Sequence, residues 1–276
     1  GGIEAIQQTL PPQFLSLTNI NWQQLINWLF TIVPIWFVGM TLYQRIYAAP
    51  DVKTAKKAWY IAGLFEWPFM AFMGVALGLI SRVAFENNMF QAQGFSAGSA
   101  FDAEMGLPLL LNTVLPIGLM GIMLSAYFSA ILSTADSCLM AASGNVQTDI
   151  LGKIWPAKQK TKTHLRISQI ITISIGVLAI ILANYMTNVL DLMLYSYAFM
   201  VSGLFIPVLM ALYTKKPNAS AAFAAMIIGG STTIFLSEIG WELPLGLDAN
   251  IFGITASLII YLLINQLKTS NKNVRN

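Results

Sequence analysis

Leu115-Pro-Ile-Gly-Leu-Met-Gly-Ile-Met-Leu-Ser125-Ala-Tyr-Phe-Ser-Ala130-Ile-Leu-Ser133-Thr134-Ala-Asp136-Ser137-Cys-Leu-Met-Ala141-Ala-Ser143-Gly144 carries no charge before Asp136. A helix needs about 20 mostly apolar residues to cross a bilayer. Only helices and closed barrels satisfy their backbone groups there. Barrel strands alternate over about 10 residues, and this run neither alternates nor stops. It reads as a membrane helix, with a polar continuation that carries the span over 115–150.

Working outward, six further runs have the same character, at 25–43, 59–80, 167–185, 192–212, 219–236 and 251–267. The whole chain is 56% hydrophobic and 10% charged, against about 25% charged in a soluble domain. The expected fold is therefore all-α: a polytopic transmembrane helix bundle in one domain over 1–276. The net charge of +3 is small, and the basic residues sit in short loops, so no nucleic-acid-binding face is expected. Cys138 is the one cysteine, which excludes an internal disulfide and a zinc site of several cysteines. His164, among lysines, reads as a solvated loop residue. No nucleotide-binding glycine motif is present, so no enzyme activity and no organic cofactor are expected. The chain opens on Gly1-Gly2 without methionine, and residues 1–21 are mixed polar, which reads as entry from a longer protein.

Orientation follows from the loops. Of the 15 basic residues, 14 fall in four segments, at 45–57, 153–166, 215–216 and 268–275. Seven alternating spans put all four on one side. The other side holds only Arg82, with eight acidic residues: Glu4, Glu86, Asp102, Glu104, Asp191, Glu238, Glu242 and Asp248. Positive loops stay in the cytoplasm. The expected location is the cell membrane, with Gly1 outside and the C-terminus inside. Trp22, Trp59 and Trp241 suit an interfacial belt, and the connection from Arg82 to Gly106 suits a short surface helix or lid.

Polar groups inside a span need a reason. At about 100° per residue, Ala130, Ser133, Thr134, Ser137, Ala141 and Gly144 share one arc of the third helix. Two readings are open. Small residues let helices approach, and hydroxyls bond back to their own carbonyls. Alternatively, the arc offers oxygens to a small hard cation, with more from carbonyls freed where a neighbouring helix unwinds. Asp136 is a candidate coupling group beside it. Pro34 and Gly39 interrupt the first span around Ile35-Trp36-Phe37, and Gly203 and Pro207 the fifth, after Tyr195-Ser-Tyr197. Broken helices of this kind line transporter cavities. Glu66 in the second span reads as reaching toward the cytoplasmic interface.

The run Ala130-Ile-Leu-Ser133-Thr134-Ala-Asp136-Ser137, with Ala141-Ala-Ser143 and Thr148-Asp149-Ile150, resembles the sodium:solute symporter family. That family includes bacterial sodium symporters for proline, galactose and sialic acid. Tyr43-Gln44-Arg45-Ile46-Tyr47-Ala48-Ala49, then Asp51-Val52-Lys53 and Ala55-Lys56-Lys57-Ala58, is similar to its sixth core helix and the loop after it. Leu212-Tyr213-Thr214-Lys215-Lys216, leading to Ser220-Ala221-Ala222, is similar to the loop after its tenth. The resemblance implies a five-plus-five broken-helix fold, of which this chain holds core helices six to ten, the second inverted repeat, and two trailing helices. It implies a sodium site from the Ala130 carbonyl and the Ser133 and Thr134 hydroxyls. Some members have a second site at the position of Ser137. Asp136 stands where those members often have a small residue. Solute would bind near Trp36, Ile35 and the fifth span at Tyr195. Ile35 stands where the sugar-carrying members have tyrosine, which argues against a sugar.

The resulting expectation is a sodium-driven symporter importing a small organic solute, with sodium as coupling ion and the bilayer as partner. The alternatives are a membrane solute sensor, or a proton-coupled transporter using Asp136 or Glu66. The topology makes a direct prediction. With Cys138 removed, single cysteines at Lys158 and Asn218 should be shielded from an impermeant thiol reagent in intact cells, and one at Gln93 should label. Labelling at Lys158 from outside would overturn the orientation.

Overall fold

Asparagine and aspartate side chains start four of the helices. Asn21 Oδ1 accepts from Gln24 N at 3.0 Å, and Asp51 Oδ1 accepts from Thr54 N at 2.8 Å. Asn188 Oδ1 accepts from Asp191 N at 3.2 Å, and Asn218 Oδ1 accepts from Ser220 N at 3.2 Å. Each satisfies a backbone donor that the first turn leaves orphaned. The Thr54 backbone N–H also holds the Asp51 carboxyl below its ordinary value.

The computed structural model describes residues 2–16, 18–154, 161–185, 188–215 and 217–273. Regular structure among them is entirely helical. The helices are α1 (Ile3–Thr9), α2 (Trp22–Val38), α3 (Met40–Tyr47), α4 (Val52–Phe65), α5 (Phe72–Glu86), α6 (Gly106–Val114), α7 (Ile117–Asn145), α8 (Gly152–Ile154), α9 (Thr161–Tyr185), α10 (Val189–Tyr213), α11 (Ala219–Ile239) and α12 (Ala249–Asn273). Two π-helical segments, Glu66–Ala71 and Val146–Leu151, join α4 to α5 and α7 to α8. Pro68 lies in the first of them. Its missing N–H breaks the α-helical ladder, and a wider turn is one way to re-seat the backbone.

Among the described residues, six helices are long and apolar enough to cross a membrane, counting 52–86 and 117–154 as continuous. The pair α2 and α3, bent by 41° at Gly39, makes up to seven. The 35 residues of Val52–Glu86 reach about 50 Å at 1.5 Å per residue, against about 30 Å of hydrocarbon. The surplus accommodates the charged turn of Lys53, Lys56 and Lys57. Gly1, the labelling position Lys158 and residues 274–276 lie outside the described residues. Asn218, the other inner labelling position, is buried and caps α11, so exposed Lys215 is the better probe of that loop.

The chain divides into two compact units, 1–19 with 43–185, and 20–42 with 186–276. In the first, α7 packs on α9, and α1 and α6 on α5. The connection after α5 has its own apolar core of Ala84, Phe85, Phe90, Leu109 and Leu110. Phe101 stacks on Phe85 there, with ring centroids 4.3 Å apart; after α5 the segment to Gly106 holds only the 3-10 turns Gln91–Gln93 and Ala103–Met105, and α6 begins where it ends.

The second unit gathers α2, α10, α11 and α12. Its core is Ile35, Val38, Val201, Ile206, Ala221, Ala225, Ile254 and Tyr261. Three helices meet at very small residues. A Cβ on Gly253 would collide with Thr233 Oγ1 and sit 2.8 Å from the Gly229 carbonyl and from Ser202 Cβ. One on Gly229 would collide with the Ser202 carbonyl. Lipid offers no hydrophobic drive for helix association, so close van der Waals approach supplies much of it. Any side chain at either glycine would force these helices apart.

Candidate functional site

The sodium-site candidates lie on one turn of α7. Ser133 Oγ donates to the Ala130 carbonyl at 2.9 Å, and Thr134 Oγ1 donates to the same carbonyl at 3.3 Å. One turn on, Ser137 Oγ donates to the Ser133 carbonyl at 2.9 Å. Bonding back to the helix is what any helical hydroxyl does, and Ser125 and Ser129 do it as well. The difference at 130–134 is convergence: two hydroxyls meet at one carbonyl. Three oxygens are thereby collected in a small patch, with hydroxyl lone pairs left over to accept. Ala130, Ser133, Thr134 and Asp136 are exposed, and Ser137 is half-buried. A cleft of about 430 Å³ beside them is lined by Leu132, Ser133, Ala135, Asp136 and Leu139. No cluster of three or more histidine, cysteine or carboxylate side chains able to hold a metal occurs among the described residues. The cation candidates are thus neutral oxygens with one nearby carboxylate.

The solute candidates lie in the other unit. Ile35 is 8% exposed and belongs to the apolar core with Val201 and Ile206. Its neighbour Trp36 is exposed. Phe37 meets Phe205 edge-on, with ring centroids 6.0 Å apart. Tyr195 is half-buried, and its hydroxyl lies 3.4 Å from Glu238 Oε1 on α11. Ile35 thus anchors α2 to α10, whereas Trp36 is the exposed side chain of that pair.

One cluster escaped sequence reading. At the N-terminal half of α2, Asn27 Nδ2 donates to Asp248 Oδ1 at 3.0 Å and to the Gly246 carbonyl at 3.1 Å. Asp248 N returns a bond to Asn27 Oδ1 at 3.0 Å. One turn on, Asn250 Nδ2 donates to Thr31 Oγ1 at 2.9 Å and to the Phe30 carbonyl at 3.4 Å. The signal was present: Asn27 and Thr31 sit at i and i+4, on one face of an apolar span. Asp248 entered that reading only as one of the outer acidic charges.

The model of the sodium:solute symporter family matches residues 6–229. The chain belongs to the sodium:solute symporter family. The osmoregulated proline transporter OpuE of Bacillus subtilis (strain 168) is 26% identical over 224 residues, covering 81% of this chain and 44% of the transporter. The sodium/pantothenate symporter of Escherichia coli (strain K12) is 30% identical over 159 residues, covering 57% of this chain and 33% of that protein. A Na⁺-coupled sialic acid symporter, solved in a substrate-bound outward-open state, matches with a TM-score of 0.70 at 19% identity. The match covers 97% of this chain and 56% of that one, and it carries the fold. The chain spans less than half the length of these two curated relatives. The sequence expectation of an all-α bundle with the broken-helix symporter fold agrees with these findings, and the protein is a multi-pass membrane protein.

For this symporter-family chain, Asp248 gives a pH test. Burial pushes its carboxyl above the ordinary value of 3.8, so the folded state holds the proton more tightly than the unfolded chain. The favourable term is fully present below the unfolded value and is lost as pH rises through the folded one. By surface area Asp248 is exposed, so solvent screens the shift and the effect is modest. Asn can still accept from Asn27 without the desolvated charge. Asp248→Asn should therefore raise the thermal unfolding midpoint at pH 7, and the two proteins should converge near pH 4. A midpoint difference independent of pH would contradict this.

Proposed function

We propose that the complete protein is a sodium-driven secondary symporter that imports a small organic solute across the cell membrane. The reading rests on the convergence of Ser133 and Thr134 hydroxyls on the Ala130 carbonyl, in a chain of this family. Sodium is a substrate here, bound by those three oxygens, with Ser137 at the position of a second sodium site. The remaining oxygens of its shell would come from outside this face. Binding would turn the two O–H bonds aside, because a proton and a cation cannot share one lone pair of Ala130. Solute would bind at Trp36, with Ile35 and Tyr195 in support, and rocking of the bundle would expose both sites to the cytoplasm. A cation helps solute only if it binds the solute-competent state more tightly than the other. Each inward charge adds roughly 2.3 kcal/mol per 100 mV of membrane potential.

The relatives named for proline and pantothenate support a small carboxylate-bearing metabolite as solute, other relatives are named for myo-inositol and glucose, and Ile35 speaks against a sugar. No covalent chemistry and no organic cofactor enter this reading. The basic loops support a cytoplasmic C-terminal end. Asp136 lines the same cleft as Ser133, which favours a second reading in which a charged ligand or a proton carries the coupling.

The test is sodium-stimulated uptake by the complete protein, using radiolabelled L-proline and pantothenate. Losing one neutral oxygen should cost on the order of 1–3 kcal/mol, or roughly 5- to 150-fold in apparent sodium affinity. Ser133→Ala and Thr134→Ala should raise the half-saturating sodium concentration by that factor, with uptake recovering at saturating sodium. Ser125→Ala, on the same helix outside the arc, should change nothing. An unchanged sodium dependence in both variants would leave this face as a packing surface. Loss of the sodium response in Asp136→Asn alone would move the coupling to the carboxylate.

A further inference from the structure

Proline at position 34 deprives α2 of one backbone donor. In an α-helix the N–H of residue 34 would bond to the carbonyl of residue 30, and proline has no N–H. The Phe30 carbonyl is therefore left without its helical partner at membrane depth, where water cannot substitute. Asn250 Nδ2, at the start of α12, reaches this carbonyl at 3.4 Å, and its stronger bond at 2.9 Å goes to Thr31 Oγ1. Thr31 in turn donates to the Asn27 carbonyl at 2.9 Å. Asn250 is 1% exposed, and Thr31 is 4% exposed.

One turn nearer the start of α2, the Asn27 amide is used in full. Both of its hydrogens go to the 246–248 segment, and its oxygen accepts from Asp248 N. That segment is itself conformationally demanding, since Leu245 has φ 63° and Gly246 φ 65°. A non-glycine residue at positive φ persists where its surroundings over-determine it. The remaining contact of α2 is apolar, through Ile35 and Val38 against α10. Apolar packing alone specifies rotation and register weakly, and single buried polar residues are a known means of fixing both. Asn250 Oδ1 has no hydrogen-bond partner among the described residues. A buried amide left half-satisfied is unfavourable, so its value at this position is directional.

We propose that Asn250, with the Asn27–Asp248 pair above it, is a positioning residue for solute binding: the head of α12 supplies the donor that Pro34 removes from α2, and so fixes the rotation and register of the segment that carries Ile35 and Trp36. The trailing helix α12 is then part of the solute site without touching solute. The proposal rests on the reading of Trp36 as a solute contact.

The experiment uses the complete protein and compares Asn250→Leu, Pro34→Ala, the double variant, and Thr255→Val on the exposed side of α12 as control. Hydrogen exchange of peptides covering residues 30–38 reads the anchor directly. Uptake kinetics, with L-proline or pantothenate as solute, read its effect. Asn250→Leu should exchange faster over 30–38 and raise the solute KM at least fivefold, with half-saturating sodium unchanged. Pro34→Ala restores the backbone donor to Phe30, so adding Asn250→Leu to it should cost much less than in the parent. Thr255→Val should resemble the parent. Unchanged exchange, unchanged KM, or full additivity with Pro34→Ala would each overturn the proposal. Absence of sodium-stimulated uptake in the parent overturns the functional reading beneath it, and that arm separates the two failures.

Discussion

A carbonyl inside a bilayer must find its donor within the protein. That requirement shapes this chain wherever a helix is interrupted. Along most of its length the helices satisfy themselves, which is why long uncharged runs suffice to build them. At Pro34 the ladder fails by one bond, and a side chain from a helix more than 200 residues away in sequence fills the gap. At Pro68 the ladder widens to a π segment. The first repair leaves α2 continuous through Pro34, and the second leaves a widened turn. Interruptions are costly in lipid, so the places where they are repaired are the places where an interruption is worth keeping.

The same requirement separates the two kinds of polar residue in the spans. Hydroxyls on α7 donate to their own carbonyls and leave lone pairs outward, so they can accept a cation without disturbing the helix. Carboxamides at the α2–α12 junction do the reverse and spend their hydrogens between helices. The first arrangement suits a reversible ligand and the second a fixed frame. Between α10, α11 and α12 the frame is completed by glycines that admit neighbouring backbone and small hydroxyl side chains at very close range.

The spans were legible because hydropathy is a one-dimensional property: runs such as 167–185 and 219–236 declare themselves without reference to anything distant. The bend at Gly39 was legible for the same reason, whereas α2 runs unbroken through Pro34. The oxygen-bearing arc on α7 was legible through its angular spacing, and its convergence on the Ala130 carbonyl is a local consequence of Ser133 and Thr134 being adjacent. The partnership of Asn250 with Phe30 was not, since nothing local in either segment names the other. Ile35 shows a second limit. Its place next to Trp36 marked it as a solute candidate, and its packing in one core with Val201 and Ile206, which makes it a support for that site, could not be read from periodicity.

The central claim is that the α7 patch binds sodium. Equilibrium binding of radioactive sodium to the purified complete protein tests it without any choice of solute. The account predicts saturable binding in the parent protein, weakened by on the order of tenfold or more when Ser133→Ala and Thr134→Ala are combined. Superimposable isotherms for the two proteins would contradict it.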